Sequence, residues 1–315
     1  MTAHVLEAVP NFSEGRDLGV VEAIVDAASS AGAAVLDWSA DPDHNRSVIT
    51  IVGSPSIVEA ATLAAASVAF ARIDMRRHDG VHPRVGAVDV LPFIPLVGLT
   101  LDHARDVARK VGQQIVDAFG VPVYFYGHAS DPPGRTLLDL RKGGYEALVA
   151  GWPPNRQPDL LPRAWSHVGA HPSAGVCCVG ARTVLLAWNV FVAGLDYAKA
   201  REVAGALREK NSGLRGVRAL ALVLPRRGAL QISMNLEDPA ETSPAQVFSY
   251  LEREIARHGG TITETEVIGL MPDQLPLSVA AERMRLQAGT EERLLSRRLA
   301  QYLATLTDTS LERGE

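Results

Sequence analysis

Apolar positions recur along this chain at two periods, close to 2 and close to 3.6, and the switches between them mark its elements. Residues 5–9 read as a strand that Pro10 stops. Leu18, Val21, Ile24, Val25 and Ala28 then fall at helical spacing. Residues 34–37 and 47–52 read as two strands around the polar stretch 39–46, residues 55–73 as an alanine-rich helix, and 87–94 as an apolar strand. Leu101, Ala104, Val107, Ala108, Val111 and Ile115 predict a further helix, followed by a short strand at 121–125. Residues 151–172 are rich in Pro and Trp and have no period, so they read as a connector crossing between domains. Such loops also carry function out of proportion to their length.

The second half repeats the order. Residues 184–190 predict a strand, and Tyr197, Ala200, Val203, Ala204 and Leu207 form one helix face. Residues 217–224 and 229–236 read as a hairpin about 225–228. Ser243-Pro244-Ala245-Gln246 is a helix start, with a hydroxyl cap, proline at the first helical position and glutamine at the third, and Gly259 is placed to end that helix. Residues 261–267 supply a last strand. Each half thus spells β-α-β-β-α-β, which predicts an α+β fold of two ferredoxin-like subdomains, residues 1–172 and 173–315. After Pro276 the chain is expected to be helical and increasingly charged, with 291–303 as a solvated outer helix and the last residues frayed.

Composition narrows the class. The chain has 315 residues, a formal net charge of −5 and a pI near 6.0, which argues against general nucleic-acid binding. A local cluster of Arg and backbone N–H groups can still hold a small anion. The two cysteines, Cys177 and Cys178, are adjacent, so neighbours on a strand point apart and form no disulfide framework. They read as small core residues. There is no signal-like N-terminus and no apolar run of the ~20 residues a membrane span needs, so the expectation is a cytoplasmic protein without a membrane partner.

No G-x-G-x-x-G, Walker loop, C-x-x-C or H-E-x-x-H occurs, which removes the usual evidence for dinucleotide, nucleoside triphosphate and zinc chemistry. Five polar clusters remain at strand ends. The segment VPNFSEGR at 9–16 could hold an anion on helix N–H groups, but Asn11 or Ser13 as a helix cap is the favoured reading. Asp41-Pro42-Asp43-His44-Asn45-Arg46 has too few fixed ligands for a metal, and no metal is expected; it is either a turn with a substrate-facing Arg46 or a polar hairpin tip. In residues 78–86 two glycines bracket His82, and the following Pro83 holds the His82 backbone extended, aiming one imidazole. An imidazole both accepts and donates protons near neutrality, so His82 is the candidate catalytic residue. His171-Pro172-Ser173-Ala174-Gly175 leads to Arg182, which can pair with a carboxylate or phosphate. Gln231, Ser233 and Asn235 alternate with Leu230, Ile232, Met234 and Leu236, leaving a polar, uncharged face suited to amide-like ligand edges, or a solvated edge strand.

Taken together, these motifs resemble the formimidoyltransferase (formiminotransferase) family, which also occurs as the first half of a fused formiminotransferase–cyclodeaminase. The matching stretches are VPNFSEGR at 9–16, DPDHNRSV at 41–48, IDM..H.G.HPR.GA.DV.PFIP at 73–95, GVPVYFYG at 120–127, HPSAG at 171–175, GAR at 180–182, WN at 188–189 and Q.S.N at 231–235. The resemblance implies a usually dimeric, two-subdomain enzyme that binds tetrahydrofolate in a groove between its halves. It implies transfer of a formimidoyl group from N-formimidoyl-L-glutamate to folate N5 in histidine degradation. The family's catalytic histidine falls on His82. The intermediate of such a transfer carries positive charge that a nearby carboxylate would steady, and Asp41 or Asp43 is the candidate. Its folate-contacting segment falls near His171, Ser173 and Gly175, with Asn189 and the face of Gln231, Ser233 and Asn235 expected nearby; Asn11, Arg46, Arg84 and Arg182 are the other candidate substrate contacts. The chain departs from the family's pattern at Ala8, Val81 and Phe191, where Cys, Glu and Asn are usual. Ending at Glu315, it is expected to lack the cyclodeaminase activity and to hand its product to a separate enzyme. Two other readings stand beside this one: folate-dependent formyl or formimidoyl transfer with a different amine, and a non-catalytic ferredoxin-like binding module.

Overall fold

The computed structural model describes residues 3–211, 213–273 and 282–312. The chain divides into two compact units, Met1–Thr183 and Val184–Glu315.

The first unit is built on one seven-stranded sheet. Its strands are β1 (Val5–Ala8), β2 (Asn11–Phe12), β3 (Ala34–Asp41), β4 (Arg46–Gly53), β5 (Val88–Val97), β6 (Val123–Gly127) and β7 (Cys177–Ala181). Pro10 lacks an N–H, so the first strand is broken into β1 and β2, and both pieces lie antiparallel between β4 and β5. β3 pairs with β4 on one side, and on the other β7 inserts in parallel between β5 and β6. Helices α1 (Leu18–Ser30), α2 (Pro55–Arg72) and α3 (Leu101–Phe119) cover one face. Leu6, Ala8, Phe12, Ile49, Ile51, Leu91 and Phe93 of the sheet meet Ile24, Ala28, Ala61, Ala65, Ala104 and Ile115 of those helices. The alanines of α2 keep its surface small where α1 and α3 pack against it. α3 carries a Thr100–His103 capping box and ends at Gly120 with φ 66°.

Three expectations change here. α1 is capped by Asp17, whose carboxylate accepts the N–H groups of Gly19 and Val20, not by Asn11 or Ser13. Asn11 donates to the Val9 carbonyl at 2.7 Å and Ser13 to the Gly86 carbonyl at 2.7 Å. Residues 151–172 do not cross between units; they run along the first unit, where Leu160 bridges Val123 and Asp159 accepts from the Phe125 N–H at 2.7 Å. Two short helices precede them, α4 (Leu137–Leu140) and α5 (Gly144–Ala150). The division therefore falls after Thr183, where the sequence reading put it after residue 172. β7 is the reason, because it pairs within the first sheet. Cys177 faces the helices and Cys178 the opposite side, against Tyr124, Tyr126, Leu140 and Leu148, both as free thiols.

The second unit holds a four-stranded antiparallel sheet of β8 (Leu186–Ala193), β9 (Val217–Leu224), β10 (Ala229–Leu236) and β11 (Thr261–Ile268), in the order β11-β8-β10-β9. Helices α6 (Tyr197–Leu207) and α7 (Pro244–Arg257) lie on one face, where Trp188 stacks on Phe248 with ring centroids 6.0 Å apart. The cap read at Ser243 is present as a capping box with Gln246. A last helix, α8, spans Leu295–Glu312. Of the helical stretch expected after Pro276, residues 277–281 lie outside the described residues. Among the described residues no helix is long and apolar enough to cross a membrane.

Candidate active site

The turn between β3 and β4 organises the first unit's polar cluster. Asp41 accepts the N–H groups of Asp43 at 2.8 Å and His44 at 2.7 Å through one oxygen, closing the turn. Asn45 has φ 47°, a left-handed conformation that Asn tolerates better than most residues. Its side chain accepts from the Gly15 N–H at 3.0 Å and donates to the Asp79 carbonyl at 2.9 Å, joining three loops. His78 donates from Nε2 to the Asn45 carbonyl at 2.8 Å and accepts from Arg84 Nε at 3.0 Å through Nδ1. Arg84 also grips Glu146, at 2.6 Å, so it clamps the loop in this state.

His82 sits inside this frame, 9% exposed. Its Nδ1–H donates to the Pro83 carbonyl at 2.8 Å, which assigns the tautomer and leaves a lone pair on Nε2. Arg46 Nη1 donates to that lone pair at 2.9 Å, and the His44 ring lies 5.5 Å away, centroid to centroid. Burial, then the positive charges of Arg46 and Arg141, and then His44, hold the His82 pKa well below 6.5. The imidazole is therefore neutral at pH 7. Arg46 is itself pushed down to about 10, by burial and then by Arg141, with Asp89 and Asp41 acting in the opposite direction.

Two groups here were not singled out from the sequence. Asp89, 1% exposed, accepts from the Val85 N–H at 2.8 Å and pairs with Arg141 through its other oxygen. Its signal was a lone charge inside the apolar run 87–94. Arg141 had none: it closes a four-residue helix within an aperiodic stretch.

The loop 171–175 packs against the loop of His82. Gly86 and Gly175 form a bridge, and a Cβ on Gly175, at φ +72°, would come within 2.2 Å of the Val85 carbonyl oxygen. His171 Nδ1 accepts the Ala174 N–H at 3.0 Å and that of Ser173 at 3.3 Å, so this histidine shapes its own turn. The Ser173 carbonyl accepts from the Met75 N–H at 2.8 Å. Arg182 donates to the Thr183 carbonyl at 2.8 Å and is the charge that opposes the upward shift of buried Glu7. The structure thus brings together Arg46, His82 and Arg84, with the loop of His171, Ser173 and Gly175 adjoining, while Asn11 and Arg182 lie farther along the same sheet.

The remaining predicted residues lie in the second unit. Ser233 pairs in register with Asn189, and Gln231 with Phe191, so Asn189, Gln231 and Ser233 share one face, with Asn235 exposed at its end. Asn189 donates to Glu266 at 3.3 Å, and Arg227 stacks over Phe191 at 3.8 Å. The face is therefore less uniformly polar than strand β10 alone suggested. Gln231 is fully buried.

Residues 5–182 match the family model described as the formiminotransferase domain, N-terminal subdomain, and residues 187–293 match that of the formiminotransferase domain. The chain belongs to the formiminotransferase family. It is 36% identical to a glutamate formimidoyltransferase of Thermoplasma acidophilum, over 94% of this chain and 97% of that one. A second glutamate formimidoyltransferase, from Streptococcus pyogenes serotype M1, is 34% identical over 88% and 92% of the two chains. The chain is also 37% identical to the formimidoyltransferase-cyclodeaminase of Sus scrofa, over 89% of this chain but 52% of the longer protein. Among the described residues no group of three or more His, Cys, Asp or Glu side chains is placed to hold a metal ion.

Proposed function

We propose that this chain transfers a formimidoyl group from N-formimidoyl-L-glutamate to N5 of tetrahydrofolate, a step of histidine degradation. The observation that carries the reading is His82: a buried, neutral imidazole whose tautomer is set by Pro83 and whose Nε2 faces the polar cluster. His82 Nε2 takes the N5 proton as the bond from N5 to the formimidoyl carbon forms. It returns that proton to the glutamate nitrogen as the carbon–nitrogen bond of the donor breaks. One base serves both steps, and holding the two substrates side by side supplies a comparable share of the rate.

Asp41 spends one oxygen on its turn, whereas Asp89 spends both, on the Val85 N–H and on Arg141, so Asp41 is the carboxylate that steadies positive charge in this reading. In this reading His171, Ser173 and Gly175 of the first unit contact folate; within the second unit, Asn189, Gln231, Ser233 and Asn235 form a polar face that suits amide-like edges. The strand order of each unit supports two ferredoxin-like subdomains: counted within its own four-strand core, each runs 4-1-3-2. A homodimer, and a separate cyclodeaminase acting on the product, follow from the family resemblance.

The test is a spectrophotometric assay for 5-formimidoyl-tetrahydrofolate, with wild type and His82→Gln. The variant should lose about 10²–10⁴-fold in kcat while keeping its tetrahydrofolate affinity. A variant that kept most of its turnover would show that proton transfer does not run through His82.

A further inference from the structure

Arg46 touches the neutral imidazole of His82, and the charge of Arg141 acts on both. Asp89 neutralises Arg141 by pairing with it, and its other oxygen is held by the Val85 N–H. Asp41, the other acid near Arg46, spends an oxygen on the β3–β4 turn. Among the described residues, the Nε–H groups of both Arg46 and Arg141 are buried and find no acceptor. A buried donor left unmade costs about 1–3 kcal/mol, more for a charged group. Two such donors near a reacting base are what an anionic ligand would satisfy.

We propose that Arg141, together with Arg46, seats a carboxylate of the glutamate-bearing donor beside His82, and that seating it draws Arg46 off Nε2. This rests on the transferase reading above. An imidazole lone pair is a neutral acceptor, whereas a carboxylate makes a charge-assisted, often bidentate bond with a guanidinium that is roughly twice as strong. The bond from Arg46 Nη1 to His82 Nε2 occupies the lone pair that the reaction needs. Donor binding exchanges that bond for a better one and frees the base only when there is something to react with. Arg141 is then a specificity-determining residue, and Asp89 positions it.

Tetrahydrofolate also bears carboxylates on its tail, so the test separates the two sources. Arg141→Gln should raise KM for N-formimidoyl-L-glutamate about 10–100-fold, the loss expected for a charged hydrogen bond, and leave KM for tetrahydrofolate unchanged. Arg141→Gln strands a buried carboxylate, so Asp89→Asn combined with Arg141→Gln is measured as well; it restores neutrality and should keep the donor defect. Binding of N-formyl-L-glutamate, followed by calorimetry, should weaken by the same factor in both variants. Unchanged donor KM and binding in a wild type that turns over would overturn the proposal and leave the transferase reading intact. A rise in tetrahydrofolate KM alone would overturn it in favour of the folate tail. A wild type that neither turns over nor binds N-formyl-L-glutamate would sink both.

Discussion

Glu7 gives a stability test whose size follows from its surroundings. It lies on β1, on the face opposite Leu6 and Ala8, between Val52 and Ile94 of the neighbouring strands, and is 4% exposed. Burial raises its pKa from 4.5 to about 7, and only the Arg182 charge opposes the shift. The unfolded chain releases this proton near 4.5, whereas the folded chain holds it to about 7. The protonated form therefore contributes stability fully below pH 4.5, and that contribution is lost as pH rises through 7. The gap between the two values corresponds to roughly 3 kcal/mol. Glu7→Gln keeps the shape and cannot ionise. At pH 8 it should be more stable than wild type by about that amount, or about 6–12 °C in Tm for a unit of this size. Near pH 4.5 the two should nearly coincide. Urea and thermal denaturation at pH 4.5, 6 and 8 measure it. A Gln variant less stable than wild type at pH 8 would refute the reasoning, because it would mean that the carboxylate is held as an anion by a cation strong enough to repay burial.

Further expectations concern the site and the cores. Because the His82 pKa is held well below 6.5, kcat/KM should stay level as pH falls through 6.5, with its acid limb displaced downward; a limb centred at 6.5 would mean that the imidazole is not buried during turnover. Asp89→Asn should cost about 3–5 kcal/mol in chemical denaturation, since it leaves Arg141 without its buried partner, and adding Arg141→Met should recover part of that loss. Gly175→Ala should cost more than the ~1 kcal/mol of an unfavourable φ, as its Cβ would strike the Val85 carbonyl, and its melting temperature should show it. Trp188→Ala, which removes the fully buried ring stacked on Phe248, should cost about 3–5 kcal/mol, with the loss confined to unfolding of the second unit.

Local chemistry made much of this protein legible from its residues alone. The two periods of apolar residues located the core strands and helices because burying one face leaves a repeat of 2 or 3.6 in any chain. Ser243 and Gln246 announced their capping box because a cap is made within four neighbouring residues. The constraint of Pro83 on His82, and the run of motifs that resembles the family, are likewise local. Where two local solutions competed, the nearer one won: Asp17 caps α1, and Asn11 and Ser13 are spent on carbonyls.

Only the tertiary structure decided who meets whom. β7 joins the first sheet by pairing between β5 and β6, in parallel with residues far away in sequence, and this moves the division between units past Thr183. Asp89 and Arg141 lie 52 positions apart, and their pairing leaves no periodic trace. The charge on His82 was equally unreadable in the sequence, since it depends on burial and on two guanidinium groups that arrive from other elements. Periodicity records which face of an element is dry. Electrostatics depends on distances through space, and those exist only once the chain has closed on itself.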